Sequence, residues 1–163
     1  MFPDLLPSSA WGRNLRTILR KPAWDRLRRW AYDRAEGKCE ACGSSGLAQG
    51  YRHALEAHEI WRIDDAAQTV DLVGIVALCP IDHQVAHLGR TLQQGRGAFT
   101  RAVAHMAKTH RLTDEQVMQV VEGAFDRWAA YGSTHFDVRV AEGLRALRAE
   151  GAPLTDDDTE GLR

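Results

Sequence analysis

With 163 residues, 44% of them apolar and 26% charged, the chain has the size and composition of one soluble globular core with appended helices. No apolar run approaches the roughly 18 residues of a membrane span, and Met1 to Arg20 lacks the continuous apolar stretch of a signal peptide, so a cytoplasmic location without membrane partners is expected. The net charge of -1 hides an uneven distribution. Arg13, Arg16, Arg20, Lys21, Arg26, Arg28, Arg29 and Arg34 face only Asp25 and Asp33, whereas Glu150, Asp156, Asp157, Asp158 and Glu160 face only Arg163.

In chain order, a short helix is expected first, capped by Ser9 and carrying Leu15, Ile18 and Leu19 as its apolar stripe. Pro22 then opens a helix in which Trp24, Leu27, Ala31 and Ala35 recur at helical spacing until Gly37 ends it. Gly and Ser residues between Cys42 and Gln49 predict a loop. Two strands follow, around Arg52 to Trp61 and Thr69 to Leu78, joined through Asp64-Asp65-Ala66-Ala67. Pro80 opens a helix through about Leu88, stopped by Gly89. Three more helices are predicted, about Ala98 to Lys108, Thr113 to Ala130 and Asp137 to Ala149. Thr113-Asp-Glu-Gln116 forms a capping box ahead of the stripe Val117, Val120, Val121, Ala124, Phe125 and Trp128. Phe99, Met106, Val120, Phe125, Trp128 and Phe136 are expected to build a helical core, or a dimer face. Residues after Gly151 are short, acidic and poor in aromatics, which predicts disorder. The expected organisation is a basic helical segment (1–37), a core (38–92), a helical extension (93–150) and an acidic tail (151–163).

Three cysteines are an odd number for a disulfide framework, and Cys39-Glu-Ala-Cys42 favours a metal in a reducing compartment. Two thiolates three residues apart on a tight turn reach one tetrahedral ion. Cys79 supplies a third sulfur, and the place of a fourth falls on Asp82, whose carboxylate zinc accepts. His83 is the rival fourth ligand. A pair of incidental buried thiols is the plainer alternative for the CxxC alone.

His83 and His87, four residues apart in the helix opened by Pro80, project from one face and can bind one ion together. Upstream, strand alternation places Glu56 and His58 on one side. Three imidazoles around one metal leave a position open for a phosphate oxygen. His105, His110 and His135 have no partner spacing and are expected to be ordinary residues.

The sequence resembles the HNH, or His-Me finger, endonucleases in Cys39-x-x-Cys42-Gly43, Leu55-Glu56-Ala57-His58-Glu59-Ile60 and Leu78-Cys79-Pro80-x-x-His83-x-x-x-His87, about a third of the chain. His58-Glu59-Ile60-Trp61 is similar to a subgroup with His-Glu-x-Trp in place of His-His. The resemblance implies an α+β fold: a ββα-metal core with a zinc knuckle, flanked by N-terminal and C-terminal helices. It implies that His58, His83 and His87 are ligands of a catalytic metal and that Glu56 lies near it. It also implies that Glu59 stands where those enzymes carry the general-base histidine.

Strand alternation sends Glu59 to the face opposite His58, and a register shift making His58 the base would put Ala57, which cannot coordinate, at the ligand position. Glu59, or less favourably His53, would orient the attacking water. The expected reaction is phosphodiester hydrolysis in nucleic acid, with DNA favoured. Beside structural Zn2+, the second ion is expected to be Zn2+, Ni2+, Co2+ or Mn2+ rather than Mg2+, which prefers oxygen ligands. Arg26, Arg28 and Arg29, interleaved with Trp24, Trp30 and Tyr32 and preceded by Trp11, are candidates to grip phosphates and stack on bases. A solvated helix face is the plainer reading of those arginines. Two other outcomes stay open: a non-catalytic zinc module binding nucleic acid or protein, and a closed structural site completed by Glu56 or Glu59.

Overall fold

A computed structural model describes residues 1–162. The elements in order are a 3-10 turn (Ser8–Ala10), α1 (Leu15–Ile18), α2 (Lys21–Arg34), a second 3-10 turn (Leu47–Gln49), β1 (Glu56–Asp64), β2 (Thr69–Leu78), α3 (Pro80–Ala86), α4 (Leu88–Gln93), α5 (Arg96–His110), α6 (Asp114–Tyr131), β3 (Asp137–Arg139), α7 (Ala141–Ala149) and α8 (Asp156–Thr159). The fold is therefore α+β, with one sheet ordered β1-β2-β3. No helix among the described residues is long and apolar enough to cross a membrane. The chain divides into two compact units, each drawn from separated stretches.

The first unit comprises Met1–Leu5, Gly37–Glu56 and Leu78–Gly132. Its core is Val85 and Leu88 against Ala102 and Met106 of α5 and Val117 and Val121 of α6, all at most 6% exposed. Burying a side chain of this kind stabilises by roughly 1.5–3 kcal/mol, so α3 and α4 are held from one side by the two long helices. The Thr113 capping box forms as expected, with Gln116 returning the bond. Trp128 stays 37% exposed, so it lies outside this core.

The helix after Pro80 is interrupted earlier than expected. His87 leaves helical geometry (φ -92°, ψ 44°), and the chain re-enters a helix at once, with Gly89 inside α4 instead of stopping it. The turn is braced by the buried Thr91, whose hydroxyl donates to the Gln84 carbonyl (2.8 Å) and whose amide donates to the His87 carbonyl (2.9 Å). Gly46 sits so tightly against the loop and α3 that an added Cβ would lie 2.2 Å from the His53 carbonyl oxygen and 2.6 Å from Pro80 Cδ. Only glycine permits that approach.

The second unit comprises Leu6–Glu36, Ala57–Ala77 and the stretch from Ser133 onward. The four residues linking β1 to its hydrogen-bonded neighbour β2 suffice only for an antiparallel hairpin. β3 pairs in parallel with β2, Val70 opposite Val138. One helix was expected over 137–149; the first three residues are this strand, and the helix begins at Ala141. The alternating pattern of Phe136, Val138 and Val140, buried between exposed neighbours, is a strand signal that the helical stripe obscured. At Gly143 an added Cβ would lie 2.2 Å from the Leu72 carbonyl oxygen, so α7 packs directly on the β2 backbone.

Other expectations are corrected by the structure. Ser9 lies in a 3-10 turn, and the cap of α1 is Asn14, whose side chain accepts from the Thr17 amide. The strand expected from Arg52 begins at Glu56, and α2 buries Leu27 and Ala31 as expected but Ala23 rather than Trp24 ahead of them. The segment after Gly151 is not structureless: Ala152 and Leu154 are buried, and at the start of α8 the Thr155 amide and hydroxyl both donate to Asp158 Oδ2. Its low aromatic content was misleading, because two small apolar anchors and a cap are enough to dock it.

Candidate metal centres

Cys39, Cys42, Cys79 and Asp82 converge in the first unit, one potential ligand atom from each lying within 4.8 Å of every other. The first pair sits on a turn closed by hydrogen bonds from the Gly43 amide to the Cys39 carbonyl (2.8 Å) and from the Cys39 amide to the Ser44 carbonyl (2.8 Å). Gly43 takes φ +73°, a conformation glycine adopts without strain. Cys79 caps α3 and Asp82 lies in its first turn, so the helix start presents both toward the turn.

The distances suit a tetrahedral ion. Bonds of about 2.3 Å to sulfur put neighbouring sulfurs about 3.8 Å apart, and a sulfur and a carboxylate oxygen about 3.6 Å apart. Observed are 3.6 Å between the Cys42 and Cys79 sulfurs and 3.2 Å from both Cys39 and Cys79 Sγ to Asp82 Oδ2. No disulfide forms among the three. This cluster could hold a metal such as zinc, and Asp82, rather than His83, is its fourth member.

The electrostatics point the same way. A hydrogen bond with Cys79 brings the Cys39 thiol down to about 6, while burial and the Asp82 carboxylate push Cys42 up to about 12, and the bond to Cys39 together with burial pushes Cys79 up. Burial pushes Asp82 up too, but hydrogen bonds from His105 and the thiols outweigh it and hold the carboxyl well below the usual range. Three thiols and a carboxylate in one buried place resist ionising together; a divalent cation removes that resistance by supplying the opposite charge.

His105, expected to be an ordinary residue, is part of this centre. From α5 its Nε2 reaches Asp82 Oδ2 at 3.1 Å, and Asp82 is fully buried. Gln49 likewise donates to Cys79 Sγ (3.3 Å). Neither was marked by spacing, because both come from elements brought to the cluster only by folding. His110 also finds a neighbour, stacking on Phe2 with ring centroids 4.2 Å apart.

Three residues of the second candidate set lie in the same unit. Glu56 Oε2 accepts from His83 Nδ1, and Glu56 Oε1 lies 2.6 Å from Nε2 of the exposed His53. His83 and then His53 hold the Glu56 carboxyl down at about 2, against the pull of burial. The His83 and His87 rings meet edge to face at 4.6 Å. A carboxylate on Nδ1 is the arrangement by which metal-bound histidines are commonly oriented. Glu56 is thus a positioning group for His83.

His58 and Glu59 lie in the second unit, adjacent on β1 and both buried (2% and 8% exposed). Glu59 has a structural partner: its Oε1 accepts the amide of Leu15, the first residue of α1, at 2.9 Å. This carboxylate oxygen therefore braces the start of α1.

The candidate phosphate-gripping arginines are partly engaged. Arg26 pairs with Asp158 (2.6 Å) and donates to the Pro153 carbonyl (3.0 Å), Arg28 pairs with Asp25 (2.8 Å), and Arg29 is exposed. No family model, curated protein or solved structure matches the chain.

Proposed function

We propose that the chain is a metal-dependent phosphodiester hydrolase of the HNH type acting on nucleic acid, with DNA the favoured substrate. The observation that carries the reading is the Glu56 contact to His83 Nδ1, one residue past a built thiolate-carboxylate cluster and beside His87. In this reading His83 and His87 give imidazole nitrogens to one ion, and the knuckle fixes the start of α3 so that both are held in place.

A divalent ion bound there would polarise the scissile phosphate and stabilise the departing oxygen. Glu56 keeps the proton of His83 on Nδ1, and His53, on the other carboxylate oxygen, steadies Glu56. Imidazole donors favour zinc, nickel, cobalt or manganese over magnesium.

The buried bond from Glu59 to Leu15 supports a second reading, in which the same scaffold binds nucleic acid or a protein without cutting. Incubation of purified protein with plasmid, linear and single-stranded DNA across these ions, with occupancy measured, decides between them. Cleavage abolished by His83→Ala and His87→Ala, with the knuckle metal retained, supports the hydrolase. Intact DNA at full occupancy of both sites rejects it.

A further inference from the structure

We infer that the acidic segment 153–160 covers a phosphate-binding surface of the second unit formed by Arg20 and Arg26, and that nucleic-acid backbone displaces it. The inference rests on the nucleic-acid part of the reading above.

Three contacts place the segment on the arginines. Arg26 donates through Nη2 to Asp158 Oδ2 (2.6 Å) and through Nε to the Pro153 carbonyl (3.0 Å), and Arg20 donates to the Asp157 carbonyl (2.9 Å). Asp158 is the pivot. Its Oδ2 also accepts from the Thr155 amide and hydroxyl (2.8 Å each), so one oxygen both caps α8 and receives the guanidinium. A guanidinium matches a carboxylate and a phosphate with the same donors, so the carboxylate occupies the place a phosphate oxygen would take.

The attachment is of a kind that can be exchanged. The Arg26 side chain is 40% exposed while that of Asp158 is 10% exposed, so solvent and a competing anion reach the pair from the arginine side. Pairing with a polyanion carries an additional gain from released counterions, which the segment lacks. Arg13, Arg16 and Arg29 are also exposed, and Arg29 lies three residues from Arg26 on the same side of α2. Ala152 and Leu154 are buried, so the base of the segment stays docked while 156–160 exchanges.

The experiment measures anisotropy of a fluorescein-labelled 20-base-pair DNA duplex against the full chain at several salt concentrations. One variant carries Asp156→Asn, Asp157→Asn and Asp158→Asn, and a control removes three exposed acids elsewhere, Glu115→Gln, Glu122→Gln and Asp126→Asn. Releasing Arg26 and Arg20 as the segment detaches, with Arg148 freed from Asp156, predicts a salt slope steeper by about 2–3 and affinity raised about tenfold at low salt in the tail variant, a larger gain than in the control. Adding Arg26→Gln to the tail variant should return most of that gain. Equal binding by tail variant and control, with the full chain also binding, overturns the cover while leaving the nucleic-acid reading standing. Absence of binding by all of them overturns both.

Discussion

Replacing Asp82 with alanine is the sharpest perturbation of the thiolate-carboxylate cluster. The side chain is fully buried, and its Oδ2 lies 3.2 Å from two sulfurs and 3.1 Å from His105 Nε2. Structural zinc in small domains is bound with about 10–16 kcal/mol, so one ligand of four is worth roughly 3 kcal/mol, on the order of 100-fold in affinity. The stranded His105 adds to the loss. Competition against a chromophoric chelator should therefore show zinc held about 100-fold more weakly by Asp82→Ala, with a smaller loss in Asp82→Asn, which retains an oxygen but not the charge. His83→Ala should leave this affinity within a few-fold of the parent, since His83 turns to Glu56. If His83→Ala weakens zinc as much as Asp82→Ala does, the ligand assignment is refuted.

Three further outcomes are expected. His105→Ala should weaken zinc by about 10- to 100-fold, as loss of a group orienting a ligand does, while His105→Gln recovers part of it; the same chelator competition reads both. Glu59→Ala should lower stability to urea by about 1–3 kcal/mol, because the Leu15 amide is left buried without its acceptor; loss of cleavage with stability unchanged would instead make Glu59 a chemical participant. For Asp71, the hydrogen bond from Arg139, then burial in opposition, leave its carboxyl below the ordinary 3.8. A carboxyl lowered on folding adds stability at pH above 3.8 that is lost as pH falls below it. NMR titration of the Asp71 carboxyl carbon should show a midpoint below 3.8 that rises in Arg139→Gln.

Much of the thiolate cluster was legible because its ligands follow local rules: a CxxC turn closed by Gly43 and a Cys-Pro opening a helix whose first turn carries Asp82. His83 and His87 were visible through their spacing, although the break at His87 was not, since it depends on Thr91 reaching back to Gln84. What sequence spacing missed comes from distant elements. His105 arrives on α5 and Gln49 from the second 3-10 turn, and nothing in their neighbours marks them. Glu59 shows the opposite case: its motif position suggested chemistry, and only the packing of α1 on β1 assigns the carboxylate to the Leu15 amide. The strand at 137–139 was hidden because a short alternating stretch runs directly into the apolar stripe of α7, and parallel pairing with β2 is a property of topology rather than of those residues.

X-ray absorption at the zinc edge, on protein loaded with one equivalent of zinc, tests the cluster most directly. Three sulfur scatterers near 2.3 Å and one oxygen near 2.0–2.2 Å are expected, with the oxygen shell altered in Asp82→Cys to a fourth sulfur. A first shell of nitrogen and oxygen alone, or failure to retain any zinc, would contradict a metal centre built from Cys39, Cys42, Cys79 and Asp82.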